Sequence, residues 1–161
     1  MEPNDHVPRS GWQVPPAFDL DAFLAQPLVA RVAPVGAGVR PVWYLWQDDA
    51  FWWLTGAWSR LTDILRRDPR VSLVVDSCDL ATGRVLQVTA RGSAEVVPVD
   101  GSLARRRLVR YLGPDEETWD DFLKERALRD PTAHFVRLAP SSLVAQDLSF
   151  RPGRRAPAQR C

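Results

Sequence analysis

Thr55-Gly-Ala-Trp-Ser-Arg60 is the stretch that decides the fold. It ends the strand pattern Ala50-Phe-Trp-Trp-Leu-Thr55 and gives way to Trp58, Leu61, Ile64 and Leu65, apolar residues at helical spacing. A strand therefore runs into a helix over about 58–67. Asp68-Pro69 stops that helix, because the residue before a proline is pushed out of the α region. Upstream, 39–46 and 50–55 read as strands flanking Gln47-Asp48-Asp49, a hairpin signature. A hairpin followed by one helix is not the strand–helix–strand alternation of a Rossmann sheet. Gly36-Ala-Gly38 also lacks the third glycine and the following helix of the dinucleotide fingerprint.

Working outward, Asp19 caps a short helix over 20–26, with Phe18 placed to staple onto Phe23. Residues 28–35 read as a strand, 36–38 as a turn and 71–76 as a buried strand. After a loop with Gly83 comes a long strand, 84–97. Its Leu86, Val88, Ala90 and Ala94 alternate with Gln87, Thr89, Arg91 and Ser93, as in a sheet wet on one face. Residues 103–112 and 115–129 form a helical pair broken by Gly113-Pro114, and short strands over 133–139 and 142–148 follow. This order predicts a mainly β fold, an antiparallel barrel with peripheral helices. The barrel domain spans 17–150, between a flexible N-terminal arm, 1–16, and a disordered basic tail, 151–161.

The 161 residues suit one domain with a real core. A formal net charge of +1 gives no global field for nucleic acid or an acidic membrane, and no apolar run is long enough to span a bilayer. Lys124 is the only lysine among 21 basic residues, so cationic sites must use the planar guanidinium fork. Cys78 and Cys161 form no disulfide framework, and no apolar leader precedes residue 17; a cytoplasmic location is expected.

The chemistry concentrates on neighbouring strands. Arg40 opens one, Thr55, Ser59 and Arg60 close another, and Gln87 lies on the polar face of a third. Five of seven tryptophans fall between Trp43 and Trp58, around Tyr44. Cations and hydroxyls suit a phosphate, an amide suits the edge of a heterocycle, and aromatic walls shed water from a ring. The ligand so described is part phosphate and part flat ring. His6 and His134 form no metal-ligand spacing with either cysteine. Asp115-Glu-Glu and Asp120-Asp121 read as an acidic helix face answering Arg105-Arg106-Arg107.

These residues resemble the pyridoxamine 5'-phosphate oxidase-like family of flavin and deazaflavin oxidoreductases. Arg40 and Val42 match the family's Arg-x-Val-x-x-Lys strand, with Leu45 in place of the lysine. Thr55, Ser59 and Arg60 match its Tyr-Thr-x-x-x-Ser-Arg-Lys turn, with Leu54 for the tyrosine and Leu61 for the lysine. Asp68-Pro-Arg-Val-Ser72 and Gln87 with Gly92 match two further elements. Trp43-Tyr44, Leu65-Arg-Arg-Asp-Pro69 and Tyr111-Leu-Gly113 have counterparts in its deazaflavin-using branches. The resemblance implies a split β-barrel that binds FMN and transfers a hydride to or from a small organic substrate. Arg40, Pro41, Val42, Trp43, Tyr44, Thr55, Ser59, Arg60, Leu61 and Gln87 are the implied cofactor contacts. Arg60 is the expected phosphate anchor and Gln87 the expected ring contact. A homodimer with the site at the subunit interface is expected too. The alternatives are a reductase using the deazaflavin coenzyme F-420, or a non-catalytic flavin- or haem-binding barrel.

Overall fold

The computed structural model describes residues 11–12, 16–36 and 38–151. Most of the arm and tail expected over 1–16 and 151–161 lies outside the described residues. In chain order the elements are α1 (Leu20–Leu24), β1 (Val29–Pro34), β2 (Arg40–Gln47), β3 (Ala50–Thr55), α2 (Leu61–Arg67), β4 (Arg70–Asp79) and β5 (Arg84–Pro98). There follow α3 (Gly101–Leu112), a 3-10 turn (Glu116–Thr118), α4 (Asp121–Leu128), β6 (His134–Leu138) and β7 (Ser142–Asp147). The strands run β4-β1-β2-β3-β6-β5-β7, and a further β4–β5 pairing closes six of them into an antiparallel barrel. Strand β7 is not part of this closed order but pairs with β5, and its Leu143 and Ala145 join the core.

Two strands change partner partway along, and this splits the barrel. Arg40–Trp43 of β2 pair with β1, whereas Tyr44–Gln47 pair with β3. Likewise Arg84–Ser93 of β5 pair with β4, and Ala94–Pro98 pair with β6. Gly92 sits at the second switch, where a Cβ would lie 3.1 Å from the Ala139 carbonyl oxygen and 3.2 Å from the Ser141 nitrogen. The hairpin between β2 and β3 turns on Asp48 and Asp49, both left-handed (φ 52° and 54°), the conformation of a two-residue type I′ turn.

The pleat predicted for β5 is observed. Leu86, Val88, Ala90 and Ala94 are buried, while Gln87, Thr89, Arg91 and Ser93 face outward. Tyr44, Phe51 and Trp53 fill the barrel together with Leu61 and Leu65 of α2. A second apolar cluster lies outside the wall, where Leu45 and Phe135 meet Leu103, Ala104 and Leu108 of α3, Trp119, and Ala127 of α4. The predicted cap and staple of α1 are both present: Asp19 accepts from the Ala22 nitrogen at 3.0 Å, and Phe18 meets Phe23 edge-on with ring centroids 5.1 Å apart.

Two helices depart from expectation. The first begins at Leu61 rather than 58, because Ser59 turns back, donating its N–H to the Gly56 carbonyl at 2.9 Å, while its hydroxyl accepts from the Leu61 nitrogen at 3.1 Å. Trp58 thereby leaves the helix and lies over Gly56. The continuous helix expected over 115–129 is broken at Trp119, which is extended (φ −68°, ψ 142°) and buried, donating its indole N–H to the Gly113 carbonyl at 2.8 Å. Burial of that indole outweighs helix propensity, and Asp120 starts α4 afresh by capping the Leu123 nitrogen at 3.1 Å. Within the stretch read as a loose arm, Trp12 bridges to Leu143 and donates its indole N–H to the Pro140 carbonyl at 3.0 Å. Among the described residues no helix is long and apolar enough to cross a membrane.

Candidate functional site

The partner switch of β2 opens a wedge. Upstream of Tyr44, β2 no longer pairs with β3, and beyond Trp53, β3 pairs only with β6. Between Arg40–Trp43 on one side and Leu54–Thr55 on the other lies a cavity of about 560 Å³, within the usual range for a small-molecule site. Arg40, Pro41, Val42, Trp43, Thr55, Ser59 and Leu61 line it, so the wedge brings together most of the residues singled out from sequence. Trp58, Arg107 of α3, and Phe122, Leu123 and Arg126 of α4 complete the wall. Among the described residues the lining holds three arginines and no carboxylate.

Arg107 is the most informative of these. The residues at 103, 104, 107 and 108 form the buried stripe of α3, so the helical period turns this one arginine of the Arg105-Arg106-Arg107 run inward. It is 8% exposed, its Nε has no hydrogen-bond partner, and no carboxylate among the described residues pairs with it. Burial pushes its pKa down to about 10, which still leaves it charged at neutral pH. An unpaired buried cation costs several kcal/mol by order of magnitude. The acidic face expected to answer the whole run therefore answers only part of it: Glu116 meets Arg105 at 3.3 Å.

Thr55 is 1% exposed, and its Oγ1 is also without a partner, as is Nη1 of Arg40. Three unpartnered buried polar atoms thus surround one cavity whose described lining has no carboxylate, an arrangement that suits an anion. Trp43 supplies a flat wall. It stacks on Tyr111 of α3, and the guanidinium of Arg107 lies 5.9 Å from its centroid. Tyr111 and Arg110 hold the switch point itself. The Tyr111 hydroxyl donates toward the Leu28 carbonyl (2.6 Å) and accepts from the Tyr44 nitrogen (3.0 Å). Arg110 donates to the Tyr44 and Leu24 carbonyls.

Other predicted contacts lie elsewhere. Tyr44 points into the barrel core, where burial pushes its phenol pKa up, so its ring cannot face the wedge. Arg60 is exposed at the start of α2, makes no capping contact and is outside the lining. Gln87 lines a separate recess on the outer face of the sheet, with Arg31, Val39 and Asp76. Arg107 was legible in principle from the period of α3. Phe122 and Arg126 carried no such signal, since their helix begins only after the unforeseen break at Trp119.

Several solved structures share this fold. A conserved hypothetical protein from Mycobacterium tuberculosis is 20% identical, with a TM-score of 0.68 over 86% of this chain and 90% of that one. An FAD-binding protein from Mesorhizobium loti is 20% identical, with a TM-score of 0.57 over 80% and 91%. An F420 reductase is 22% identical, with a TM-score of 0.55 over 76% and 94%. At these identities the likeness establishes the split-barrel fold. No curated protein matches the chain by sequence. The family model for pyridoxamine 5'-phosphate oxidase matches residues 19–145, which include the whole barrel, the wedge and its helical roof. The chain belongs to the pyridoxamine 5'-phosphate oxidase family.

Proposed function

We propose that the wedge holds a flavin nucleotide, FMN or a deazaflavin relative, and that the protein is an oxidoreductase moving a hydride between that cofactor and a small organic substrate. The observation that carries this reading is the set of orphaned buried groups, Arg107 Nε, Arg40 Nη1 and Thr55 Oγ1, around a cavity whose described lining has no carboxylate. Arg40, Arg107, Thr55 and Ser59 meet the phosphate, and Trp43 backs the ring. Bound there, the cofactor ring supplies the redox chemistry, while the protein binds, orients and excludes water. Leu45 and Leu61 stand where the family motif has lysines, and both are buried. In this chain a cation from α3, Arg107, takes over the charge those positions give up. An FAD-binding protein and an F420 reductase with the same fold support the cofactor class. A haem is disfavoured, since the described lining has no His, Cys, Met or Tyr to serve as axial ligand.

The reading includes a homodimer. Gln87 lies outside the wedge of its own chain, so it reaches a flavin only when a second copy contributes it. Exposed Val29, Val39 and Val144 on strands and a loop near that recess favour such packing. Cys78 is an exposed free thiol, which suits a reducing cytoplasm.

The absorbance spectrum of the purified protein identifies a flavin or deazaflavin directly. Titration calorimetry with FMN and riboflavin then tests the phosphate site. FMN is expected to bind roughly 10- to 150-fold more tightly, the worth of one charge-assisted contact. Equal affinities, or no binding of any flavin or deazaflavin, would overturn the reading.

A further inference from the structure

Arg126 is the cation of the wedge to which the cofactor reading gives no task. Its guanidinium carbon lies 4.4 Å from the ring centroid of Trp58 and 4.8 Å from that of Phe122. Both rings line the cavity and both are open to solvent, Trp58 at 40% and Phe122 at 63%. A guanidinium over aromatic rings retains N–H donors, because the attraction of its charge to the rings does not consume them as hydrogen bonds. Among the described residues no carboxylate forms an ion pair with it. Asp130 is coupled to it only weakly: the charge of Arg126 is the least of the causes that lower the Asp130 pKa. The Asp130 Oδ1 is already engaged by Thr132, accepting from its nitrogen at 2.8 Å and its hydroxyl at 2.6 Å.

Gly56 shapes this rim. A Cβ there would sit 2.2 Å from the Trp58 ring, so the indole lies against the backbone at a place only glycine leaves open. The result is a cation over two solvent-exposed aromatic rings, on the wall of a cavity whose buried cation is Arg107. Buried groups suit a resident cofactor. A substrate must enter and leave at each turnover, which suits groups at the solvent rim.

We infer that Trp58, Arg126 and Phe122 form the substrate end of the wedge, and that the substrate is an organic carboxylate whose acid group adjoins a flat apolar body. The inference rests on the flavin reading for the identity of the inner end. Arg126 takes the carboxylate through its N–H donors, and the two rings cover the apolar part.

Benzoate is a suitable probe, with benzyl alcohol as its neutral counterpart, followed on the Trp58 indole N–H resonance of ¹⁵N-labelled protein with and without FMN. That resonance is assigned by its loss in Trp58→Phe. Benzoate is expected to shift it, and Arg126→Gln to weaken benzoate roughly 10-fold or more while changing benzyl alcohol little. Arg126→Lys, which keeps the charge without the planar fork, should recover part of the loss, and it serves as the test if the Gln variant does not fold. Gly56→Ala should displace the Trp58 ring and weaken both probes.

Equal loss of benzoate and benzyl alcohol in Arg126→Gln, or no shift of Trp58 with benzoate, would overturn the inference. So would an Arg126→Gln variant that loses affinity for FMN but not riboflavin, since Arg126 would then serve the cofactor phosphate. Failure of wild type to bind FMN removes the flavin reading separately, and the benzoate titration without FMN still decides the carboxylate site.

Discussion

Trp43 and Tyr111 stack face to face, with ring centroids 4.5 Å apart and planes 2° from parallel. The stack joins β2 to α3 at the point where β2 exchanges β1 for β3, and the Tyr111 hydroxyl occupies backbone groups that the exchange leaves over. One side chain therefore fixes both the opening of the wedge and the flat wall within it. Tyr111→Phe keeps the stack and removes the hydroxyl, orphaning buried backbone groups at a cost of about 1–3 kcal/mol. Tyr111→Leu loses the stack as well, adding about 0.5–1.5 kcal/mol. Urea denaturation should rank wild type, Phe and Leu in that order. Flavin affinity should follow the stack, held in Phe and reduced in Leu. An equal loss in both variants would assign the wall to the hydroxyl network.

Arg107 predicts a trade of stability against binding. Replacing a buried, unpaired charge with an apolar side chain of similar length removes a desolvation penalty. Arg107→Met should therefore leave the apoprotein as stable as wild type or more so, while weakening FMN roughly 10- to 150-fold and riboflavin little. Arg60→Ala, at an exposed position outside the lining, should weaken FMN less. A destabilised Arg107→Met apoprotein with normal FMN affinity would make Arg107 a structural residue.

The contrast between these two arginines shows where sequence reading reaches and where it stops. Arg40, Thr55 and Ser59 line one cavity because their spacing along the chain is set by local structure, a strand start and a turn, and local structure is written in short motifs. Arg60 belongs to the same motif, yet the turn at Gly56–Ser59 points it to solvent. Arg107 came in a run of identical residues, and only the helical phase of Leu103, Ala104 and Leu108 separates it from its neighbours. The strands were legible because a two-residue pleat survives in sequence. The break at Trp119 was not, because it follows from a long-range choice, the burial of one indole between α3 and α4, that outweighs local propensity.

Asp68 gives the acid limb of stability a local origin. Its carboxylate accepts from Nε, Nη2 and the backbone nitrogen of Arg70, and these bonds lower its pKa from 3.8 to about 2. The folded state thus binds fewer protons than the unfolded state in this range. The contribution is complete above pH 3.8 and drains as pH falls toward 2. The pair is exposed, so added salt should shrink the effect. Asp68→Asn, which still accepts from the Arg70 nitrogen, should flatten the wild-type loss of stability over this window. Denaturation curves of the two proteins are expected to converge at its acid end and diverge above it.

Gly92 is the residue at which the partner exchange of β5 is tightest. An added Cβ would lie 3.1 Å from the Ala139 carbonyl oxygen, 3.1 Å from Leu138 Cδ1 and 3.2 Å from the Ser141 nitrogen. Two of these atoms are backbone, and the Ser141 N–H is bonded to the Arg91 carbonyl at 2.9 Å, so the chain cannot yield without loosening that bond. Gly92→Ala should cost about 1–3 kcal/mol, as overpacking does, seen as a lower urea midpoint at unchanged slope. Gly92 does not line the wedge, so the folded variant should bind FMN as wild type does. Gly56→Ala is the informative counterpart. The contact there is a partly exposed indole that swings outward, so stability should change little while the rim of the wedge is remodelled. If Gly92→Ala were as stable as wild type and Gly56→Ala were the one to unfold, the rigid element of this barrel would be the turn before α2 rather than the crossing of β5.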